Sequence, residues 1–124
     1  VLVQWGDWLK FNNEMPIYLQ LFQRLALDIV TGKYSAGEKI PSVRELSVMY
    51  KVNPNTVQKA LSELEDVELI YTERTNGKFV TEKKETIKNY LESLAQEKTI
   101  FYINDMKDLG YSLKEVIKMI EGNE

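Results

Sequence analysis

The sequence predicts an α+β fold that is mostly helical: three helices and a β-hairpin, followed by a tail of two more helices. Three observations carry this prediction. Apolar residues recur at helical spacing over 17–29, 57–64 and 87–102. Helix-start chemistry stands at Ser42, Asn53 and Ser112. Two short runs rich in β-branched and aromatic residues, LIYTE and KFVT, flank Arg74-Thr75-Asn76-Gly77. Asn-Gly between such runs is the strongest short-range hairpin signal.

Residues 1–13 read as an N-terminal arm. Val1 to Leu9 is too short and too acidic for a signal peptide, and Trp5, Trp8 and Phe11 suggest that the arm packs against something. Pro16 suits the first residue of helix one, and Ile17, Leu21, Leu25 and Ile29 supply its stripe. Gly32 is placed to end it in the left-handed conformation. KYSAGEKIP is then a loop with one turn at Ala36-Gly37. Ser42-Val43-Arg44-Glu45 has the form of a capping box, so helix two runs to about Tyr50 and buries Val43, Leu46 and Met49. Asn53 reads as the next N-cap with Pro54 as the first helical residue, leaving only Lys51 to Asn53 between the two helices. The hairpin closes a block over 14–82. From residue 83 to 124 no strand is expected. A long helix should end near Leu109-Gly110, and a second capping box, Ser112 to Glu115, should start the last helix.

Composition limits what such a chain can do. There is no cysteine and no histidine, which removes disulfides, thiolate sites and the commonest general base. No phosphate loop, nucleophile elbow or carboxylate cluster at metal spacing is present. An enzyme is not expected, and neither is a cofactor. No apolar run approaches the roughly 20 residues that span a bilayer, so a cytoplasmic protein without membrane contact is expected.

The third helix points to nucleic acid. Val57, Ala60, Leu61 and Leu64 share one face, which must be core. Asn55, Lys59 and Ser62 fall opposite, with Gln58 beside them and Thr56 at the edge. Amide side chains can pair with adenine in the major groove, and threonine can touch a thymine methyl or a phosphate. The helix start, with its free N–H groups and positive dipole end, should also favour phosphate. The net charge is -3, but it is polarised. Between Lys39 and Lys59 four cations face one acid, whereas Glu63 to Glu73 holds five acids and no cation. A helix that enters the groove by its N-terminal end carries those acids away from the duplex. Lys39, Lys51, Lys59 and Lys78 should displace counterions from phosphates. The short turn, the uncharged polar helix start and the basic hairpin tip together fit a winged helix-turn-helix. The alternative is a winged-helix module that binds protein and has no DNA affinity.

The stretch from Pro16 to Glu82 resembles the N-terminal domain of the GntR family of bacterial transcriptional regulators. PIYLQL, the segment GEKIPSVREL, NTVQKAL and GKFV carry the resemblance, which covers a little over half of the chain. Only about forty residues follow, which is similar to the YtrA subfamily, whose short helical tails serve dimerisation. The resemblance implies DNA contacts from Arg44, from Asn53, Asn55, Thr56 and Gln58, and from a wing tip of Arg74, Thr75 and Gly77. Ser42 at its cap, Asn76 in the turn and the four lysines complete the candidate DNA surface. In the tail, Ile87, Tyr90, Leu91, Leu94, Phe101, Tyr102, Leu109, Val116, Ile117 and Ile120 are the candidate dimer seam. The implied function is a homodimeric repressor on a palindromic operator in double-stranded DNA. A small-molecule effector could sit in an aromatic pocket of Tyr90, Phe101, Tyr102, Met106 and Tyr111. Two departures stand out: Pro54 replaces an arginine common in the family, and Glu68 replaces the glycine that usually ends the recognition helix. A local distortion is expected at Glu68.

Overall fold

The computed structural model describes Phe11 and residues 14–123. The elements run α1 (Ile17–Val30), α2 (Val43–Tyr50), α3 (Pro54–Asp66), β1 (Ile70–Glu73), β2 (Gly77–Val80), α4 (Lys84–Asp108) and α5 (Leu113–Glu121). The expected fold class is present: a mostly helical chain with one antiparallel hairpin. Two compact units divide after Lys88, inside α4.

In the first unit, α1 buries Leu21, Leu25, Ala26 and Ile29. The stripe starts one turn later than expected because Ile17 is exposed, and Pro16 takes the N-cap position rather than the first helical one. Gly32 follows at φ +88, the expected stop. Helix α2 begins at a complete capping box: Glu45 N–H donates to Ser42 Oγ at 3.1 Å, and Ser42 N–H donates to Glu45 Oε1 at 3.0 Å. Its buried face is narrower than the sequence suggested. Leu46 is fully buried, Val43 is half-buried and Met49 is 54% exposed. A helix of 8 residues turns only a thin side to the core.

Helix α3 places Val57, Ala60, Leu61 and Leu64 in the core with no exposed surface. Each buried leucine contributes about 1.5–3 kcal/mol relative to an exposed one. The helix ends in a Schellman motif: Leu69 N–H donates to Leu64 O at 3.0 Å and Glu68 N–H donates to Glu65 O at 2.9 Å. That motif puts Glu68 at φ 62. The distortion expected at Glu68 is thus confined to one residue, a glutamate in the left-handed conformation that glycine takes most readily.

The hairpin pairs Ile70 with Val80, Tyr71 with Phe79, Thr72 with Lys78 and Glu73 with Gly77. Arg74, Thr75 and Asn76 form the loop, and Gly77, which follows it as the first residue of β2, is left-handed at φ +104. A third chain segment joins this sheet. Ile40 N–H donates to Lys78 O at 3.0 Å, Val80 N–H donates to Glu38 O at 2.9 Å, and Lys39 bridges Phe79. The loop expected over residues 33–41 thus contributes an edge to the wing.

In the second unit, α4 continues through residue 108 and ends in another Schellman motif at Gly110, φ +96. The capping box of Ser112 and Glu115 opens α5 as expected. Among the described residues no helix is long and apolar enough to cross a membrane.

Candidate nucleic-acid interface

Asn53 organises the start of α3. Its Oδ1 accepts from Asn55 N–H at 2.8 Å, and its carbonyl accepts from Thr56 at 2.9 Å and Val57 at 3.1 Å. Pro54 has no N–H to offer. The donors that the sequence suggested for a phosphate are therefore taken up inside the cap. What remains for a ligand is the dipole and the side chains. Asn53 acts through its cap, which fixes the helix entry.

Asn55, Gln58, Lys59 and Ser62 are exposed along one side of α3, with Thr56 half-buried at its edge. No acid stands in the first turn. Lys59 is steered by α1: its ammonium lies 4.2 Å from the centroid of the Tyr18 ring. Tyr18 has no individual role in the sequence reading, although PIYLQL contains it, because only the packing of α1 on α3 reveals the contact. Arg44 is exposed one residue into α2. Ser42 is spent on the capping box. Lys51 is exposed in the turn between α2 and α3 at φ 55, and Ser47 Oγ holds that turn by donating to Val52 O at 2.6 Å.

At the wing, Arg74, Thr75, Asn76 and Gly77 are exposed. Asn76 Nδ2 donates to Glu73 Oε2 at 3.2 Å, so this side chain braces the turn. Lys39 comes to the same place from the joining segment. A Cβ on Gly77 would stand 3.0 Å from Lys39 Cε, so glycine leaves room for the lysine to cross the wing. Two basic residues far apart in sequence, Lys39 and Arg74, are therefore both carried by the wing sheet and its turn.

Lys78, expected as a phosphate contact, has partners within the protein. The register puts it on the same sheet face as Val80, which is fully buried. There its ammonium pairs with Glu65 and donates to Thr72 Oγ1 at 2.8 Å. The bond from Lys78 holds the Glu65 carboxyl below its ordinary range, with Thr72 adding to the effect against partial burial.

Away from this surface, Phe11 packs its ring 6.2 Å from that of Tyr50, with the Arg24 guanidinium 5.8 Å from the Phe11 centroid. Burial pushes the Tyr50 hydroxyl up to about 12. Trp5 and Trp8 lie outside the described residues.

The candidate seam residues divide by exposure. Val116 is 1% exposed and is buried. Ile87, Tyr90 and Leu94 are half-buried. Leu91, Phe101, Tyr102, Leu109, Ile117 and Ile120 are exposed, Phe101 at 69%. A shallow concavity on α4 is lined by Glu92, Ser93, Gln96, Glu97, Ile100, Phe101 and Asn104. Of the five residues expected to form an aromatic pocket, only Phe101 lines it. Among the described residues no group of three or more acidic side chains could hold a metal ion.

Known proteins place this geometry. The family model described as bacterial regulatory proteins, gntR family, matches residues 17–80. A helix-turn-helix-type transcriptional regulator of Bacillus subtilis, YhcF, is 35% identical over 90% of this chain and 93% of its own length. The transcriptional repressor YtrA of the same organism is 40% identical over 60% of this chain and 58% of its own. A solved GntR family transcriptional regulator from Listeria monocytogenes superposes with a TM-score of 0.87 at 40% identity, covering 92% of this chain and all of that one. The DNA-binding domain of AraR, solved in complex with operator ORX1, superposes with a TM-score of 0.55 at 28% identity over 58% of this chain and 93% of that one.

Proposed function

The chain belongs to the GntR family of bacterial regulatory proteins and is a DNA-binding transcriptional regulator, and from that premise we propose that it is a homodimeric repressor reading an inverted-repeat operator. The observation that carries the DNA-reading part is the exposed, acid-free start of α3, with Asn55, Gln58 and Lys59 on one side and Arg44 and Lys51 close in the chain. In this reading Asn55 and Gln58 meet base edges, and Thr56, Arg44, Lys51 and Lys59 meet phosphates. Arg74, Thr75 and Lys39 act at the wing. The protein acts by occupying DNA rather than by catalysis.

One such helix reads a few base pairs, too few to single out a site in a genome. Two chains related by a two-fold axis read two half-sites, which makes the operator palindromic. Support for pairing comes from the second unit, where Leu91, Phe101, Tyr102, Leu109, Ile117 and Ile120 leave apolar surface in solvent. Exposed apolar side chains on both helices of this unit support a contact with a second copy of the chain. The repressor YtrA shares 40% identity over 60% of this chain, which supports repression.

Sedimentation velocity of the chain tests the pairing. A species of twice 14.5 kDa is expected, and Phe101→Glu with Ile117→Glu should return it to the monomer and weaken DNA binding together. A monomer at every concentration that binds duplex DNA would refute the dimer.

A further inference from the structure

The side of the wing that faces α3 carries a closed ring of side chains. Glu65 lies in the last turn of α3, Thr72 on β1 and Lys78 on β2. Thr72 Oγ1 donates to Glu65 Oε1 at 2.8 Å, Lys78 Nζ donates to Thr72 Oγ1 at 2.8 Å, and Lys78 is ion-paired to the same Glu65 oxygen. The side chain of Lys78 is 19% exposed and that of Glu65 37%, so solvent screens this pair less than one lying free on the surface. A carboxylate near the C-terminal end of a helix meets the negative end of its dipole and needs a cation to compensate it. Lys78 supplies that cation. The two strands have four residues each, and a hairpin of that size is marginal without further contacts; the segment 38–40 bonds to β2, and the ring ties both strands to α3.

We propose that Glu65, Thr72 and Lys78 form a clamp that sets the wing against the recognition helix, so that Lys78 is a positioning residue for DNA binding and not a phosphate contact. The proposal rests on the DNA-reading role of α3 and the wing. Two of the three ammonium donors are committed, and a move toward a phosphate would strip Glu65 of its cation and the Thr72 hydroxyl of a donor. Parity enforces the arrangement: in strand β2, Lys78 shares its face with buried Val80, whereas Lys39 and Arg74 occupy the outer edge and tip.

Charge reversal separates the two roles. Glu65→Lys and Lys78→Glu each break the clamp, and the double variant rebuilds it with the charges exchanged. Amide hydrogen exchange over residues 70–80, measured on the full chain without DNA, should quicken about fivefold in each single variant and return to the wild-type rate in the double. Equal exchange in all four proteins would overturn the clamp. Binding is then measured on a duplex that the wild-type chain enriches from a random pool. The double variant should recover most of the affinity lost by either single one, whereas a double variant weaker than both would make Lys78 a phosphate contact. Lys78→Met gives an independent reading: the slope of log affinity against log salt should not change, and a fall of about 0.9 per chain would overturn the proposal. Failure to enrich any duplex would count against the DNA-reading role, and the exchange rates would still decide the clamp.

Discussion

Replacing Glu68 by glycine should stabilise the protein. Glu68 is exposed, stands at φ 62 and closes the Schellman motif of α3 through its own N–H. An L-residue in that conformation costs about 1–2 kcal/mol against the right-handed alternative. Glycine escapes this penalty but brings extra freedom to the unfolded chain, which takes back about 0.4–1 kcal/mol. The net gain is about 1 kcal/mol, which for a urea dependence of about 2 kcal/mol per molar moves the midpoint up by about 0.5 M. Glu63, Glu65, Asp66 and Glu73 lie close in the chain, so relief of charge repulsion has to be separated from relief of backbone strain. Glu68→Ala makes that separation, because alanine loses the charge and keeps the strained φ. Urea unfolding followed by circular dichroism should show a gain for glycine and almost none for alanine. A glycine variant no more stable than the alanine one would refute the strain argument.

Other consequences can be checked alongside. Leu61→Ala removes a fully buried side chain and should destabilise by about 2–5 kcal/mol in the same urea assay. Asn53→Ala should lose about 1 kcal/mol with its cap, and it should weaken DNA binding in titrations by loosening the start of α3, although the Asn53 side-chain oxygen Oδ1 is spent on accepting from Asn55 N–H. Burial raises the Asp28 carboxyl above its ordinary 3.8, against the opposing pull of Lys33 and Arg24. The folded chain therefore holds that proton more tightly than the unfolded one, and the stability it contributes below pH 3.8 is lost as pH rises through the folded-state value. Asp28→Asn should flatten that decline in a series of urea titrations across the acid range.

The reading block was legible wherever local chemistry decides structure. Ser42 with Glu45, Asn53 with Pro54, and Asn76 with Gly77 each fix a chain direction within three or four residues. The helix-turn-helix and the hairpin follow from these together with the apolar stripe of α3. What escaped depends on parity or on distant packing. The face of Lys78 follows from its register with buried Val80, a period-two argument that the basic wing tip obscured. Lys39 reaches the wing through a bridge to Phe79, 40 residues away in the chain, which no local pattern signals. Tyr18 meets Lys59 only because α1 packs on α3. Met49 matched the helical period but lies beyond the thin buried edge of a short helix. The helix start of α3 looked rich in free donors because its sequence does not reveal that Asn53 uses them all. The tail offered its helices and caps plainly, but the spacing of apolar residues did not separate Val116, which is buried, from Ile117 and Ile120, which are exposed.

In the proposed function, the acid-free start of α3, with Arg44 beside it in the chain, reads a palindromic duplex. The deciding experiment is selection from a random duplex pool at physiological salt, with the wild-type chain and an Arg44→Ala, Asn55→Ala variant run in parallel. The predicted result is an enriched inverted repeat that the variant fails to enrich. Enrichment of the same repeat by the variant would contradict the assignment of these residues, and a wild-type chain that enriches nothing would contradict the reading of this surface as a DNA reader.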